Sequence, residues 1–523
     1  MRLLTLAVLL LIAPLASSQD TLAELTVDAK KKKAIDKALK LFSKYFSDKR
    51  SVKAAHKQAA LNTFKEWLRN SPDVLGVNAL AKPQLMVELL DAARVSSMPK
   101  IRGGGLRPEF RPGDDLRDGF QGFAYRAPKG YKPTNKAYPL VVTLHGRVTD
   151  PRHPAFRGKK DEFTQRGRAA LYNYWLESPA KDEIIVVAPS GSPTGFEFSE
   201  AATRENRYMK ESVALYRTLG AAMEDFRVDW NRIFLEVQGS AFRWVIEQPF
   251  VFSGYIVRDG QIPPEQYFLF ENLNGVPLIY VADKKKLSAF GRELTQALKA
   301  AYKKAGASAN LLILEGERDA HKALKTNANV IARFVRNTVR REPRKKFSWR
   351  FFRETTISPI PIIRMRANFF YDETQPKEKT AGRIEMEIKP EQINVGGAQR
   401  PATRIEVKIT EAESFKMVLR DDVVPLDDPV TIVVNGKVVV DKKVVARDLD
   451  LFIKYTLSRR YFMFPFMAEI EVSFPLKHEY EAKEARGGAG GAGGPEGGKP
   501  GGAATAANGK TENNKSTPDD KSK

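Results

Sequence analysis

The chain contains no cysteine among its 523 residues. This absence excludes disulfide bonds, thiolate metal sites and cysteine nucleophiles from these residues. Histidine is also scarce, and no two of the five imidazoles have the spacing typical of a metal site. They are His56, His145, His153, His321 and His478. No glycine-rich phosphate loop lies between a predicted strand and a predicted helix. We therefore predict a protein that uses no cofactor and no metal.

Long apolar runs are absent except at the N terminus. There Arg2 precedes an apolar run, and the small residues Ala16 and Ser18 follow it. A positive charge, a short apolar segment and small residues are typical of a secretory signal peptide, and the segment is too short for a transmembrane helix. We expect an exported protein, periplasmic or extracellular, that is cleaved near Ser18.

Acidic residues are too few to balance the basic ones. The chain has 86 Lys and Arg against 63 Asp and Glu, which gives a net charge of +23. The positive residues cluster at 30–33 and again at 333–353. For an exported protein, such clusters favour an anionic polysaccharide, a cell-wall surface or a membrane surface as partner, and no nucleic acid is expected. A solvated basic face that only keeps the protein soluble is the alternative. The charge pattern does not indicate the oligomeric state.

Changes in the hydrophobic period divide the chain. A helical period runs from about residue 26 to residue 94, with stops at 70–72 and 82–83, and a period of two begins after residue 361. The predicted parts are a signal peptide (1–18), a helical subdomain (19–105), a central α/β domain (106–340), a basic linker (341–361), a small β-sandwich domain (362–478) and a disordered Gly/Ala-rich tail (479–523).

The central part alternates strands with helices. Several of its strand candidates are continuous apolar runs, which is typical of strands buried on both faces. Strands are predicted at 122–126, 139–144, 183–188, 232–237, 254–257, 277–281 and 310–314, and helices at about 163–178, 206–225 and 288–305. This order predicts an α/β fold with a mostly parallel sheet that is covered on both sides.

The part after residue 361 alternates apolar and polar residues. Segments 384–388, 405–409 and 415–419 have this pattern, and Asn435-Gly436 separates two valine-rich runs. An Asn-Gly pair between two such runs predicts a β-hairpin. We expect a C-terminal antiparallel β-sandwich, with one short helix near residues 448–458.

Four segments of the central part resemble the α/β-hydrolase fold, in its secreted esterase and polyester-depolymerase branch. Residues 138–146 resemble the strand that leads to the His-Gly oxyanion loop, and residues 188–198 resemble the strand and loop that follow. Residues 228–235 are similar to the run that leads into the nucleophile elbow, and residues 253–257 resemble the next strand. The resemblance implies oxyanion donors at Gly146 and Arg147.

The same resemblance places the nucleophilic serine at position 239, where this chain has Gly239. Ser240 follows immediately and is the alternative nucleophile if the turn is shifted by one residue. An elbow requires very small residues two positions before and two after its nucleophile. Gln238 and Phe242 flank Ser240, whereas Val237 and Ala241 flank Gly239, so neither register supplies two glycines.

The remaining members of a catalytic triad are partly present. His321 matches the family's histidine loop, and Asp283 is the candidate acid if the separate loop after residue 281 is shortened. Without the shortening, Lys286 takes the acid's place, and a positive charge would not stabilise an imidazolium.

Three functions are consistent with this pattern. The first is a catalytically degenerate esterase, or pseudoenzyme, that binds a ligand at the cell surface. The second is a weak or unconventional carboxylic-ester hydrolase that uses Ser240, His321 and Asp283 on esters of exported polysaccharides or polyesters. The third is a cell-surface structural or adhesion protein in which the hydrolase fold is a spacer.

Overall fold

The computed structural model describes most of the chain between residues 28 and 473. The described residues are 28–46, 54–76, 78–99, 101, 109–112, 122–134, 136–145, 175, 178–190, 196, 207–249, 251–273, 275–283, 289–316, 320–340, 345–351, 356–357, 360–365, 381–421, 423–453 and 467–473. The predicted signal peptide and tail lie outside them, as does almost all of the helix predicted over 163–178.

Four helices form the N-terminal part; the pattern predicted three of them, and the short α3 lies where a stop was predicted. They are α1 (Ala29–Phe46), α2 (Ala54–Arg69), α3 (Ser71–Leu75) and α4 (Pro83–Ser97). Pro72 lies in the first turn of α3, where its missing N–H costs no helical hydrogen bond. Gly76 ends α3 in the left-handed conformation, at φ +73°.

The N-terminal helices share one apolar core with the rest of the protein. Arg94 of α4 is 1% exposed, and its guanidinium donates to the carbonyl oxygens of Met223 and Phe226 and to the carboxylate of Asp91. Burial lowers the pKa of Arg94, although Asp91 opposes the shift. This buried cation therefore fixes the helical part to the central part.

The central part is an eight-stranded, mostly parallel sheet, which confirms the predicted fold class. The strand order is β1-β2-β4-β3-β5-β6-β7-β8, and β4, β3, β5, β6, β7 and β8 are parallel to one another. The strands are β1 (Glu109–Pro112), β2 (Gly122–Arg126), β3 (Tyr138–Thr143), β4 (Ile185–Pro189), β5 (Val228–Gln238), β6 (Gly254–Arg258), β7 (Leu278–Asp283) and β8 (Leu311–Gly316). The short edge strand β1 was not predicted.

Helices cover both faces of this sheet. Apolar side chains of α5, α6 and α7 pack on one face, and those of α8 and α9 pack on the other. These helices are α5 (Arg207–Asp225), α6 (Phe242–Glu247), α7 (Ala289–Lys304), α8 (Ala320–Thr326) and α9 (Ala328–Asn337). A 3₁₀ helix at Pro264–Leu273, which the sequence did not indicate, also packs on the first face.

Two further sheets form the predicted sandwich-like part. Their orders are β10-β11-β14-β17 and β16-β15-β13-β12-β9, and β13 pairs with β15 in parallel within an otherwise antiparallel arrangement. The elements are β9 (Lys346–Phe351), β10 (Thr356–Ile357), β11 (Ile360–Met365), β12 (Gly382–Val395), β13 (Ala398–Ile409), β14 (Ala412–Leu419), β15 (Val430–Val434), β16 (Lys437–Lys443), α10 (Leu449–Ile453) and β17 (Ala468–Ser473). Asn435 and Gly436 form the predicted turn, both with positive φ.

The linker predicted over 341–361 is corrected by these strands. Its described residues include β9, which pairs with β12 over six positions, and β10. Basic and apolar residues alternate in β9, so the positive charges lie on one side of a strand whose other side is buried. The remaining predicted domain boundaries stay predictions.

Two side chains of the 3₁₀ helix join the sheet of β9 and β12 to the central part. Asn272 is fully buried; its amide donates to the carbonyl oxygens of Ile246 (3.2 Å) and Arg350 (3.0 Å) and accepts from the Arg350 N–H (2.6 Å). The neighbouring carboxylate of Glu271 accepts from the Ser348 hydroxyl (2.7 Å) and from Arg383 (2.7 Å).

We expect Glu271→Gln to destabilise the protein in a pH-dependent way. Burial alone would raise the pKa of Glu271, but the Ser348 hydroxyl and the Arg383 and Arg350 guanidiniums hold it below its ordinary value of 4.5. A carboxyl group whose pKa is lower in the folded state adds stability above its unfolded pKa and loses it as the pH falls through the folded value. Urea unfolding at pH 7 should show a less stable variant, and the difference from wild type should shrink below pH 4.5. A difference that is the same at both pH values would contradict this interpretation.

Candidate functional site

The candidate site lies where the parallel strands end. Strand β5 runs extended through Gln238, which has φ −132° and ψ 143°. At Gly239 the chain turns sharply, with φ +62°, into the short 3₁₀ helix Gly239–Ala241 and then into α6. A strand that enters a helix through one residue of positive φ has the geometry of a nucleophile elbow.

Gly239 is the residue of positive φ at this turn. Its carbonyl oxygen accepts a hydrogen bond from the Gln261 N–H (3.0 Å), which fixes the peptide plane. Ser240 is not among the residues of positive φ and lies, partly exposed, within the 3₁₀ helix. The positive φ of the turn is therefore at position 239, and the predicted role of Ser240 stays a prediction.

The space for a side chain at Gly239 is open. Within the part of the chain that the structure describes, a Cβ built on its backbone meets no heavy atom within 4 Å, in contrast to Gly260 nearby, where a Cβ would lie 2.7 Å from the Phe242 ring. The turn thus has room for a side chain at position 239. The adjoining α6 is only six residues long, and all six are buried.

The structure brings the backbones of the other candidate residues to the same edge of the sheet. Asp283 ends β7 and pairs with Gly316, which ends β8, and His321 is the second residue of α8, shortly after β8. The side chains of Asp283 and His321 lie outside the described part, as do Gly146, Arg147 and Lys286. Their predicted roles therefore stay predictions.

His145, which precedes the predicted oxyanion donors, is a buried structural residue. Its Nε2 lies 2.5 Å from the Ser190 carbonyl oxygen, and its ring meets the Phe196 ring edge-on at 5.6 Å. Its own carbonyl oxygen accepts from the Phe196 N–H at 3.3 Å. These contacts hold the ends of β3 and β4 together, directly before the predicted oxyanion segment.

A buried ion pair that was not predicted lies next to the turn at Gly239. Arg258 at the end of β6 and Glu236 of β5 are 3% and 2% exposed, with Nε and Oε1 2.7 Å apart. The indole N–H of Trp175 donates to the other oxygen of Glu236. Opposite charges near the ends of two adjoining apolar strands were the signal, because a charge within a strand buried on both faces needs a partner.

Two residues of the cluster leave hydrogen-bonding capacity unused. The Nη2 of Arg258 and the hydroxyl of Thr143 are buried and have no hydrogen-bond partner among the described residues. Thr143 ends β3 directly opposite Glu236. The floor of the site is therefore polar, although the strands that form it are apolar.

Within the described residues, no three ligand-type side chains gather closely enough to hold a metal ion. In that same part of the chain, no helix has both the length and the apolarity to cross a membrane.

Comparison with known proteins gives weak structural likenesses. No family profile and no curated protein sequence matches the chain. A thermostable esterase is 16% identical with a TM-score of 0.35; the match covers 45% of this chain and 63% of the esterase, less than two thirds of its length. A poly(3-hydroxybutyrate) depolymerase from Bordetella parapertussis is 17% identical with a TM-score of 0.33, covering 49% and 95%. An S-formylglutathione hydrolase from Agrobacterium tumefaciens is 12% identical with a TM-score of 0.29, covering 46% and 98%.

We expect Glu236→Gln to destabilise the protein by about 3–5 kcal/mol, because it leaves Arg258 buried without a counter-ion. Arg258→Met should cost a similar amount for the converse reason. The double variant should be more stable than the sum of the two single changes predicts, since neither charge is then left unpaired. Chemical unfolding of all four proteins measures this coupling.

Glu183→Gln is the matched control. Glu183 pairs with Arg336 at 2.8 Å, but the two side chains are 46% and 42% exposed. Its loss should cost at most about 1 kcal/mol. Additive effects at Glu236 and Arg258, or a cost no larger than that of the control, would show that the buried pair is not coupled.

Proposed function

We propose that this protein is a catalytically degenerate α/β-hydrolase-fold protein that binds a ligand and does not hydrolyse it. The observation that carries the proposal is Gly239, which keeps the backbone of the elbow at φ +62° but has no side chain to act as a nucleophile. Covalent ester hydrolysis needs that group, and its removal from a triad lowers the rate by roughly 10⁶-fold.

The surroundings of Gly239 support a binding role. The polar floor formed by Glu236, Arg258 and Thr143 and the open space above Gly239 remain after the nucleophile is lost. A concave site at the carboxyl ends of parallel strands is where open α/β sheets bind their ligands. A ligand that resembles the acyl part of an exported ester fits this site in chemical class.

Active-site labelling tests the proposal directly. We expect the wild-type protein to take up no fluorophosphonate probe and to hydrolyse a short-chain ester no faster than a heat-denatured control. Labelling of Ser240 in the wild type, abolished by Ser240→Ala, would contradict the proposal and establish the unconventional hydrolase instead. Peptide mapping by mass spectrometry locates the adduct.

The gain-of-function variant Gly239→Ser shows whether the missing side chain alone prevents catalysis. The open space accepts the new Cβ, and the left-handed conformation should cost about 1–2 kcal/mol of stability. We expect stoichiometric labelling at position 239. Gly239→Ala is the matched control, because it imposes the same backbone strain without a hydroxyl and should remain unlabelled.

We further propose that the protein is exported and cleaved after Ser18. The basis is the charge and apolar pattern of the N-terminal segment. Expression with the native N terminus should give a secreted species whose intact mass begins at Gln19. A species that retains Met1 in the membrane fraction would contradict cleavage.

A further inference from the structure

Helix α1 carries seven lysines and one aspartate in eighteen residues. Five of its lysines are exposed; Lys32 points to another side, and the other four follow the helical repeat, namely Lys30, Lys33, Lys37 and Lys40. At 3.6 residues per turn they fall within an arc of about 80° and extend along about 15 Å of the helix. We call these four residues the lysine ridge.

The lysine ridge lies on the side of α1 that faces away from the protein. Ile35, Ala38 and Phe42 form the opposite side and are at most 2% exposed. The Phe42 ring stacks on Phe64 of α2, with the two centroids 3.8 Å apart. The apolar side of α1 is therefore buried in the core, and only the charged side is accessible to a partner.

Lys31 does not belong to the ridge and has a local structural explanation. Its Nζ lies 3.7 Å from where a side chain at Gly76 would begin, at the C-terminal end of α3. A cation at the C terminus of a helix is favoured by the helix dipole. The four ridge lysines have no such environment, and no ion pair joins any of them to an acidic side chain within the described residues.

The ridge is electrostatically unfavourable in the isolated protein. Like charges three or four residues apart on a helix repel one another, and Lys30 and Lys33 also lie at the positive end of the helix dipole. Asp36, the one acidic residue of α1, lies beside Lys33 and Lys40 and offsets only part of this repulsion. The first turn contains no acidic residue, and Asp28 before it is occupied as a cap that accepts from the Lys30 and Lys31 N–H groups at 2.8 and 3.1 Å. A linear anion along the ridge would relieve both repulsions.

We propose that the lysine ridge binds an extended anionic polysaccharide that carries one carboxylate per sugar. The charges of the lysine ridge follow one another at about 5 Å along the helix, and the four lysines extend over about 15 Å. Duplex DNA presents a charge every ~1.7 Å, which is much denser than the charges of the ridge. Single strands of nucleic acid bind to aromatic side chains on which their bases stack, and the ridge has no aromatic side chain. A membrane-surface helix needs a free apolar side, which α1 lacks.

Binding of the full-length protein to polygalacturonate at low ionic strength tests this inference. Replacing all four ridge lysines by glutamine should weaken binding by about tenfold or more, and replacing them by arginine should preserve it. Binding should also weaken as salt is added. The melting temperature of the glutamine variant should equal or exceed that of the wild type, because the replacement removes repulsion.

A variant with four exposed lysines replaced elsewhere is the matched control. It carries Lys299→Gln, Lys303→Gln, Lys304→Gln and Lys443→Gln, which removes the same net charge. We expect it to bind polygalacturonate as the wild type does. An equal loss in this control, tighter binding to duplex DNA or to phosphatidylglycerol vesicles, or no binding of the wild type would each overturn the proposal. The ester and probe assays do not involve α1, so this proposal stands or falls separately from the proposed function.

Discussion

Burial of strand β5 on both faces is the constraint on which the central part depends. Ile233 and Leu235 face the core under α5, α6 and α7, whereas Phe234 faces the core under α8 and α9. Each such side chain contributes about 1.5–3 kcal/mol when it is fully buried. A shift of one residue would exchange the two faces, so the strand has only one register. The position of the elbow at its end follows from that register.

A nucleophile elbow has two separate requirements: a backbone of positive φ and a side chain that can react. Glycine adopts the left-handed conformation without the steric cost that other residues incur. Gly239 therefore satisfies the backbone geometry more easily than a serine would, but it supplies no reacting atom. The sharp turn is consequently compatible with ligand binding alone, and its presence is no evidence of hydrolysis.

Charged groups have two different environments in this molecule. Arg94, Glu236 and Glu271 lie at junctions between elements, where each has partners that compensate for its removal from water. The lysines on the outer side of α1 are exposed to water, and their charged neighbours on that side are one another and Asp36. The first group holds a cysteine-free chain together, whereas the second contributes repulsion that an external anion would neutralise.

The strands and helices of the central part were predictable because the pattern that specifies each of them lies within a few consecutive residues. Continuous apolar runs predicted the strands around β3, β4 and β6, and the Asn-Gly pair predicted the hairpin at Asn435. Strand β1 was missed because four residues ending in proline carry too little pattern. The segment at 341–361 was misread as a linker because its basic residues conceal the alternation of β9.

By itself the sequence determined the fold class and placed a glycine at the sharp turn after β5, since strand patterns and turn chemistry are encoded by neighbouring residues. Only the tertiary structure decided what lies around that place. The pairing of Glu236 with Arg258, the open space at Gly239 and the clamp of Asn272 on Arg350 all join residues that are distant in the chain. Such contacts depend on how whole elements pack, and no local pattern specifies that.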